Sequence, residues 1–291
     1  MRVTQSMLSN NMLRNLSSSY NKMGKLQEQI TSGKKVNRPS DDPVVVMKSM
    51  GYRMQVDKVA QFQRNMGEVH NYLDSSDDAL DKVGSALHRA NELMVSASTG
   101  TLSQEDREAI LAEVKQLQQQ VQDLANTKSG DKYIFSGTKT GSPLYNGTNF
   151  ETDPAFSKGV EIEVFDGVTM TVNTKVADTF KNIDDMFENI KTAIEVDQES
   201  SGLDRFVGEI QTQLDDVLTK RADIGARQNR AEMMGNRLDS QEGAAKKQVS
   251  ENEDVEYEKT ITDMLTEEAV HRAALSVGAR IIQPSLVDFL R

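Results

Sequence analysis

The chain has 291 residues, with 34 Lys or Arg and 45 Asp or Glu, so its formal net charge is −11. Nucleic acid and anionic membranes repel such an acidic chain, and we expect neither as a partner. Cysteine is absent, which excludes disulfides and thiolate metal sites, and the three histidines lie far apart. With few aromatic residues and no tryptophan, the composition favours an elongated, helix-rich protein over an enzyme, and we expect no cofactor.

Apolar residues first show a long helical repeat inside the proline-free run 44–142. From Val59 to Ala97 they recur alternately every three and four residues, with Ser76 as the single polar member. This heptad spacing predicts a long helix that packs along a partner helix. The predicted seam residues are Phe62, Met66, Leu73, Leu80 and Leu87.

A second helix is predicted to follow Ser103, a candidate N-cap. Its Gln-rich stretch, Gln116 and Gln118 to Gln120, is expected to face solvent. Past residue 130 the period becomes that of strands, beginning with Tyr133-Ile134-Phe135. Alternating residues then flank Asp166-Gly167, which predicts a hairpin whose two turn residues both have positive φ.

Helical spacing returns after Asp178, a candidate cap, within the second proline-free run, 155–283. The longest seam predicts a helix over 204–249, about 70 Å long at about 1.5 Å per residue. Gly225 inside it costs about 1 kcal/mol relative to alanine, which suggests close packing on another helix; the alternative is that the helix tolerates one unfavourable residue. The predicted seam residues are Ile210, Leu214, Val217, Ile224 and Leu238.

Both ends of the chain have the spacing of amphipathic helices, and their apolar faces are candidate assembly surfaces. Between the first two helices, Gly33 suits a C-cap, Ser40 an N-cap, and Pro43 a first helical turn. The N-terminal face consists of Leu13, Leu16, Tyr20, Met23 and Ile30. The C-terminal face consists of Ile261, Leu265, Leu275, Ile282, Leu286 and Phe289.

Four pairs of adjacent aspartates are the remaining candidates for chemistry. Neighbouring residues on a helix point about 100° apart, so such pairs do not converge on one proton or metal ion. We interpret them as caps and solvated faces. The pairs are Asp41-Asp42, Asp77-Asp78, Asp184-Asp185 and Asp215-Asp216.

The order of these segments predicts a mainly α fold, an elongated antiparallel coiled-coil rod of nested N- and C-terminal helices with a small β-rich inserted domain. We expect residues 1–43 and 250–291 to form a terminal helical region that is disordered in the monomer. Residues 44–130 and 178–249 are expected to form the helical rod, and residues 131–177 the inserted outer domain.

Four segments, in their order along the chain, resemble the flagellin superfamily. They are the loop Ser32–Pro43, Tyr133–Gly137, the helix with Arg221, Gly225 and Asn229-Arg230, and the ending Leu286…Leu290-Arg291. Flagellins usually have Asn-Ser-Ala-x-Asp-Asp-Ala where this chain has Asn37-Arg-Pro-Ser-Asp-Asp-Pro43. This departure, with the opening Met1-Arg-Val-Thr, favours the junction proteins of the superfamily over filament subunits.

The resemblance implies a structural, non-enzymatic adaptor of the bacterial flagellum, secreted by the flagellar type III pathway after a cytoplasmic stage. The implied partners are hook-associated protein 1, flagellin, other copies of the chain in a tube, and a flagellar export chaperone. The terminal helices would form the inner layer of that tube, and the C-terminal face would bind the chaperone. Two alternatives remain open: a flagellin that builds the filament and, more remotely, a free-standing coiled-coil scaffold or chaperone.

Overall fold

The computed structural model describes residues 5–98, 104–151, 153–196 and 203–282, and helices dominate these ranges, as predicted. Two antiparallel two-stranded sheets and a short 3-10 helix, Pro154–Ser157, lie between the third and fourth helices. The helices are α1 (Gln5–Ser32), α2 (Pro43–Ser98), α3 (Gln104–Ala125), α4 (Ala177–Val196), α5 (Asp204–Glu253) and α6 (Tyr257–Ile282). The strand pairs are β1 (Lys128–Ser129) with β2 (Lys132–Tyr133) and β3 (Glu161–Phe165) with β4 (Val168–Thr171).

The chain divides into two compact units. The first unit comprises residues 1–58 and 241–291, and the second comprises residues 59–240. The β-rich segment 131–177 lies inside the second unit, where the sequence led us to expect a domain of its own. Ser103, the candidate N-cap of α3, lies outside the described residues.

The core of the second unit forms where α2 and α5 pair. Every residue of the two predicted seams is buried there: Phe62, Met66, Leu73, Leu80 and Leu87 on α2, and Ile210, Leu214, Val217, Ile224 and Leu238 on α5. A heptad row is shielded from water only by packing on other side chains, and both rows belong to one continuous cluster of buried residues.

Polar side chains at the edge of this seam fix its direction. The Arg221 Nε and Nη2 donate to the two carboxylate oxygens of Asp77 at 2.9 and 3.2 Å, and its Nη1 donates to Asp81 at 2.6 Å. Gln228 donates to Asp74 at 2.9 Å. Because residue numbers rise along α2 as they fall along α5, the helices are antiparallel. Asp77, which was expected on a solvated face, is therefore a partly exposed helix–helix contact.

Helices α3 and α4 meet through a second polar contact that the sequence did not predict. The buried Gln118 donates its side-chain N–H to Asp184 at 2.7 Å and to Glu188 at 3.1 Å. Gln122 donates to the same Asp184 oxygen at 2.8 Å. The expected solvent-facing stretch is thus wrong at Gln118, because carboxylates on α4 satisfy its amide and allow its burial.

The β3–β4 hairpin packs directly on the helices. The Phe165 ring stacks on Phe62 with centroids 6.1 Å apart, and the Arg237 guanidinium lies 4.4 Å from its centroid. Arg227 on α5 donates to the Asn173 carbonyl at 2.9 Å. Val164 and Met170 are buried in the same cluster as the α2–α5 seam. The hairpin consequently shares the core of the second unit.

Three local predictions differ from the structure. The hairpin turn has positive φ only at Gly167, at 71°, and an irregular register after Glu163 provides the twist that a second positive φ would have given. Asp42, rather than Ser40, caps α2, because its Oδ1 accepts from the Val44 and Val45 amides at 3.0 and 3.1 Å. Asp178 lies within the first turn of α4, which begins at Ala177.

Two further predictions concern β-structure and glycine. The predicted strand at Tyr133-Ile134-Phe135 ends at Tyr133, and Ile134 and Phe135 lie buried in the core outside any strand. Gly225 has open space where a side chain would stand, so its predicted close packing is wrong within this chain.

We predict that two leucines one turn apart on α5 differ sharply in their contribution to stability. Leu214 is 3% exposed and Leu218 is 56% exposed. Leu214→Ala should lower the free energy of unfolding by about 2–5 kcal/mol, because it leaves a cavity in the seam. Leu218→Ala should change it by less than about 0.5 kcal/mol. Urea unfolding followed by circular dichroism measures both, and similar effects of the two substitutions would show that the seam is not the core.

Candidate assembly surface

Helices α1 and α6 of the first unit contact one another through polar side chains. The buried Ser19 hydroxyl donates to Glu267 at 3.1 Å, and the Lys22 ammonium donates to the other oxygen of that carboxylate at 3.3 Å. The rings of Tyr20 and His271 lie 6.2 Å apart between centroids. A carboxylate that accepts from both a hydroxyl and an ammonium pins the two helices in register.

A glycine permits the close approach of these helices. Gly278 on α6 is buried, and a Cβ at this position would overlap the terminal methyl and sulfur of Met12 on α1. The Met12 side chain therefore fills the space in which a Cβ at position 278 would otherwise separate the helices. From the sequence we predicted close packing at Gly225. A single sequence does not show which of two helical glycines, Gly225 or Gly278, lies against another helix.

The predicted apolar faces of α1 and α6 are largely open to solvent. Leu13, Tyr20, Ile261, Leu265 and Leu275 are exposed. Leu16, Met23 and Ile30 are partly buried. The side chain of Ile282 and the whole of Leu286 and Phe289 lie outside the described part of the chain.

The start of α2 carries a further apolar face that the sequence analysis missed. Val44, Met47, Met50 and Met54 are all exposed, and their spacing of three or four residues places them on one side of the helix. The sequence already shows this spacing of three and four residues. Only the longer heptad row that begins at Val59 was predicted as an apolar face of this helix. Among the described residues of the first unit, no large hydrophobic side chain is buried. Extended apolar surface of this kind marks an interaction site.

Backbone hydrogen bonds link the α1–α2 connection to the α5–α6 connection in the first unit. The Lys35 N–H donates to the Glu253 carbonyl at 2.6 Å, and the Val255 N–H donates to the Gly33 carbonyl at 3.0 Å. These bonds form an isolated antiparallel bridge between Lys34 and Asp254. We call residues 33–35 and 253–255 the clasp. The clasp ties the end of α1 to the break between α5 and α6.

Charged side chains reinforce the clasp. Arg53 on α2 donates Nε and Nη2 to the two oxygens of the buried Glu253 carboxylate at 2.6 and 2.5 Å. The Lys34 ammonium lies 2.7 Å from Asp254 and 3.3 Å from Glu253. Next to the clasp, the Asn252 amide donates to the Ser49 hydroxyl at 2.7 Å. A buried carboxylate is stable in this setting because two cations and a fixed fork of donors surround it.

The same contacts shift the titration of the clasp carboxylates. The Arg53 hydrogen bonds, followed by that of Lys34, hold the pKa of Glu253 below its usual value, against the opposing effect of burial. The Lys34 ammonium and then the Ser250 hydroxyl likewise lower the pKa of Asp254. Both groups consequently remain ionised into the acid range.

Metal sites and membrane-spanning helices are the other features to consider among the described residues. Within them, no group of three or more His, Cys, Asp or Glu side chains is arranged to hold a metal ion. None of the helices in the described ranges has the length and apolar character needed to cross a membrane.

We predict that Gly278→Ala weakens the pairing of α1 with α6. The added methyl group must displace the Met12 side chain, and overpacking of this kind costs about 1–3 kcal/mol. Hydrogen exchange along α6 should become faster accordingly. Gly243→Ala is the matched control, because Gly243 lies inside α5 with open space around it, and this change should slow local exchange. Unchanged exchange in α6 of the Gly278→Ala protein would contradict the tight contact.

We predict that the clasp is sensitive to acid. A carboxylate whose pKa is lowered on folding stabilises the fold above its unfolded pKa, and this stabilisation is lost as the pH falls through the lowered value. Protection of the Lys35 and Val255 amides from hydrogen exchange should therefore persist at neutral pH and fall below the ordinary Glu value of 4.5.

Glu253→Gln tests the origin of this acid sensitivity. The change should reduce protection of both amides already at pH 7, because the neutral amide cannot balance Arg53 and Lys34. Glu251→Gln, at an exposed residue two positions away, serves as the control and should leave the protection unchanged. An acid response that is equally strong in Glu253→Gln would refute the role of this carboxylate.

Comparison with known families matches both ends of the chain. Residues 3–140 match the bacterial flagellin N-terminal helical region, and residues 207–290 match the bacterial flagellin C-terminal helical region. The matched ranges contain α1 to α3 and nearly all of α5 and α6.

Individual relatives extend this similarity. Flagellar hook-associated protein 3 of Escherichia coli K12 is 26% identical over 93% of each chain. The flagellar filament 31.3 kDa core protein of Treponema maltophilum is 30% identical over 73% of this chain and 72% of its own.

Among solved structures, hook-associated protein 3 of Legionella pneumophila has a TM-score of 0.61 at 14% identity, covering 69% of this chain and 97% of its own. FlgL of Bacillus cereus has a TM-score of 0.58 at 22% identity, covering 69% and 99%. The chain belongs to the bacterial flagellin family.

Proposed function

We propose that the protein is a structural adaptor at the hook–filament junction of the bacterial flagellum. Membership of the flagellin family supports a role in flagellar assembly. Similarity to hook-associated protein 3 of Escherichia coli and of Salmonella typhimurium, each over more than nine-tenths of both chains, supports the junction within that assembly.

One structural observation carries the proposal. The first unit presents three apolar helix faces to solvent, on α1, on α6 and at the start of α2, while hydrogen bonds and ion pairs supply many of its internal contacts. A chain that acts alone gains nothing from such faces, whereas a subunit of a larger assembly buries them against its neighbours.

The proposed partners follow from a position between two different structures. Hook-associated protein 1 would contact one side of a ring of these subunits, and flagellin would contact the other. Before assembly the chain would pass through the flagellar type III export pathway to the outside of the cell. An export chaperone would cover the C-terminal face, of which Leu275 is exposed, by the capture of an amphipathic helix in a groove.

A filament subunit is the alternative function. The flagellin of Halalkalibacterium halodurans is 24% identical to this chain over 93% of it and 92% of its own length, and that similarity favours this alternative. The two functions differ in copy number, because a filament needs far more subunits than a junction.

Deletion of the gene in the source bacterium, with electron microscopy of the cells, tests the proposal. An adaptor predicts hooks without filaments and flagellin released into the medium. A filament subunit predicts that the medium lacks released flagellin as well. Normal filaments in the deletion strain would contradict both functions.

Complementation of the deletion strain tests the apolar face of α6. Leu265→Asp should yield a folded protein that fails to restore filaments, because a charge then lies in the proposed contact. Thr262→Asp is the matched control at a nearby exposed polar residue and should restore them. Circular dichroism of both purified proteins checks that the folds are intact. Restoration of filaments by Leu265→Asp would remove this face from the assembly surface.

A further inference from the structure

Sulfur chemistry in this chain is confined to methionine. The sequence has 14 methionines and no cysteine, so no thiol competes for an oxidant. Near the start of α2, Met47, Met50 and Met54 are 70%, 62% and 67% exposed. In the second unit, Met66 and Met94 are 4% and 0% exposed. The same side chain therefore occurs at both extremes of solvent access within one helix.

The exposed methionines lie together on one side of α2. Their spacing of three and four residues brings them within three helical turns of one another. The side of α2 that carries Ser49 and Arg53 makes the contacts to Asn252 and Glu253 that hold this helix. At about 100° per residue the mean direction of the methionines lies about 110° around the helix from that of Ser49 and Arg53, and Met50 is the methionine nearest to Arg53. We call Met47, Met50 and Met54 the methionine face.

We propose that the methionine face of the unassembled chain is a site of reversible oxidative modification by peroxides. A lone pair of the thioether sulfur attacks one peroxide oxygen, a sulfur–oxygen bond forms, and the oxygen–oxygen bond breaks. The sulfur is oxidised to a sulfoxide, and the departing hydroxide takes up a proton, so that the peroxide is reduced to water. Enzymes of the methionine sulfoxide reductase class reverse the change, one for each sulfoxide epimer. Two thiols supplied to the enzyme are oxidised to a disulfide, and the sulfoxide oxygen leaves as water.

Access of the oxidant makes the reaction selective. Peroxide reaches a sulfur in solvent directly, whereas the sulfurs of Met66 and Met94 are packed among core side chains. Met233 on α5 is 66% exposed and should react at a comparable rate, but it has no neighbouring exposed methionine of this kind on its helix. The methionine face is thus a local concentration of reactive sulfur.

The modification changes the surface and leaves the fold in place. A sulfoxide replaces an apolar thioether with a polar, hydrogen-bond-accepting group. At an exposed position this group is solvated, so no buried polar atom results and no core side chain has to move. Three sulfoxides within three turns convert an apolar helix face into a polar one, while the contacts of Ser49 and Arg53 remain.

Peroxide treatment of the purified chain with peptide mass spectrometry tests the proposal. Each of the three sites should gain one oxygen atom about ten-fold or more faster than Met66 and Met94, because exposure controls the reaction. In urea the rates should converge, which shows that the fold causes the selectivity. The helical melting transition should survive oxidation of the three sites. Rates at the methionine face within about two-fold of those at Met66, or loss of the transition, would overturn the proposal.

Two variants assign the reactive sites. Met47→Leu, Met50→Leu and Met54→Leu in one protein should remove three fast-reacting sites and keep the melting transition, since leucine has a similar size and helix preference. Met233→Leu is the control and should remove one fast site from α5 only. Methionine sulfoxide reductases should return the mass of the oxidised wild-type peptide to its original value. An unchanged number of fast sites in the triple variant, or sulfoxides that these enzymes fail to reduce, would also refute it.

Discussion

The antiparallel contact of α2 with α5 is the interaction on which the second unit depends. Two rows of apolar side chains, represented by Leu80 and Leu214, exclude water from one another along this contact. Arg221 holds the register by bonding to two aspartates on successive turns of α2. Helices α3 and α4 and the β3–β4 hairpin then cover the seam, and their buried side chains join the same cluster. The hairpin thus completes a core that the long helices begin.

Periodicity in the sequence was sufficient to predict the long helices and their buried rows. A heptad row identifies the side chains that are buried, since its spacing places all of them on one face of the helix. Periodicity does not predict which residues the polar side chains contact. Gln118 meets Asp184 only after two helices have docked, and it lies in the same run of glutamines as the exposed Gln119 and Gln120. The clasp likewise joins Lys34 to Asp254, and no local pattern connects residues so far apart.

The sequence predicted only part of the assembly surface, because contacts between distant residues leave no local pattern. Leu13 and Leu265 were recognisable as members of amphipathic rows, but a row alone cannot tell whether a neighbouring helix or a partner subunit covers it. In the structure Met12 of α1 packs against Gly278 of α6, while Leu13 and Leu265 remain exposed. The polar residues that hold the first unit together, Ser19 and Glu253 among them, resembled ordinary surface residues in the sequence.

The scarcity of buried apolar side chains in the described part of the first unit has a calorimetric consequence. The heat capacity increment of unfolding comes chiefly from apolar surface that becomes hydrated. A unit held by Arg53, Glu253 and other polar groups exposes little new apolar surface when it opens. Its stability curve is therefore shallow, with free energies that change slowly between cold and warm conditions. Until its exposed faces are covered by neighbours, the first unit contributes little to the heat capacity increment, and the second unit supplies most of it.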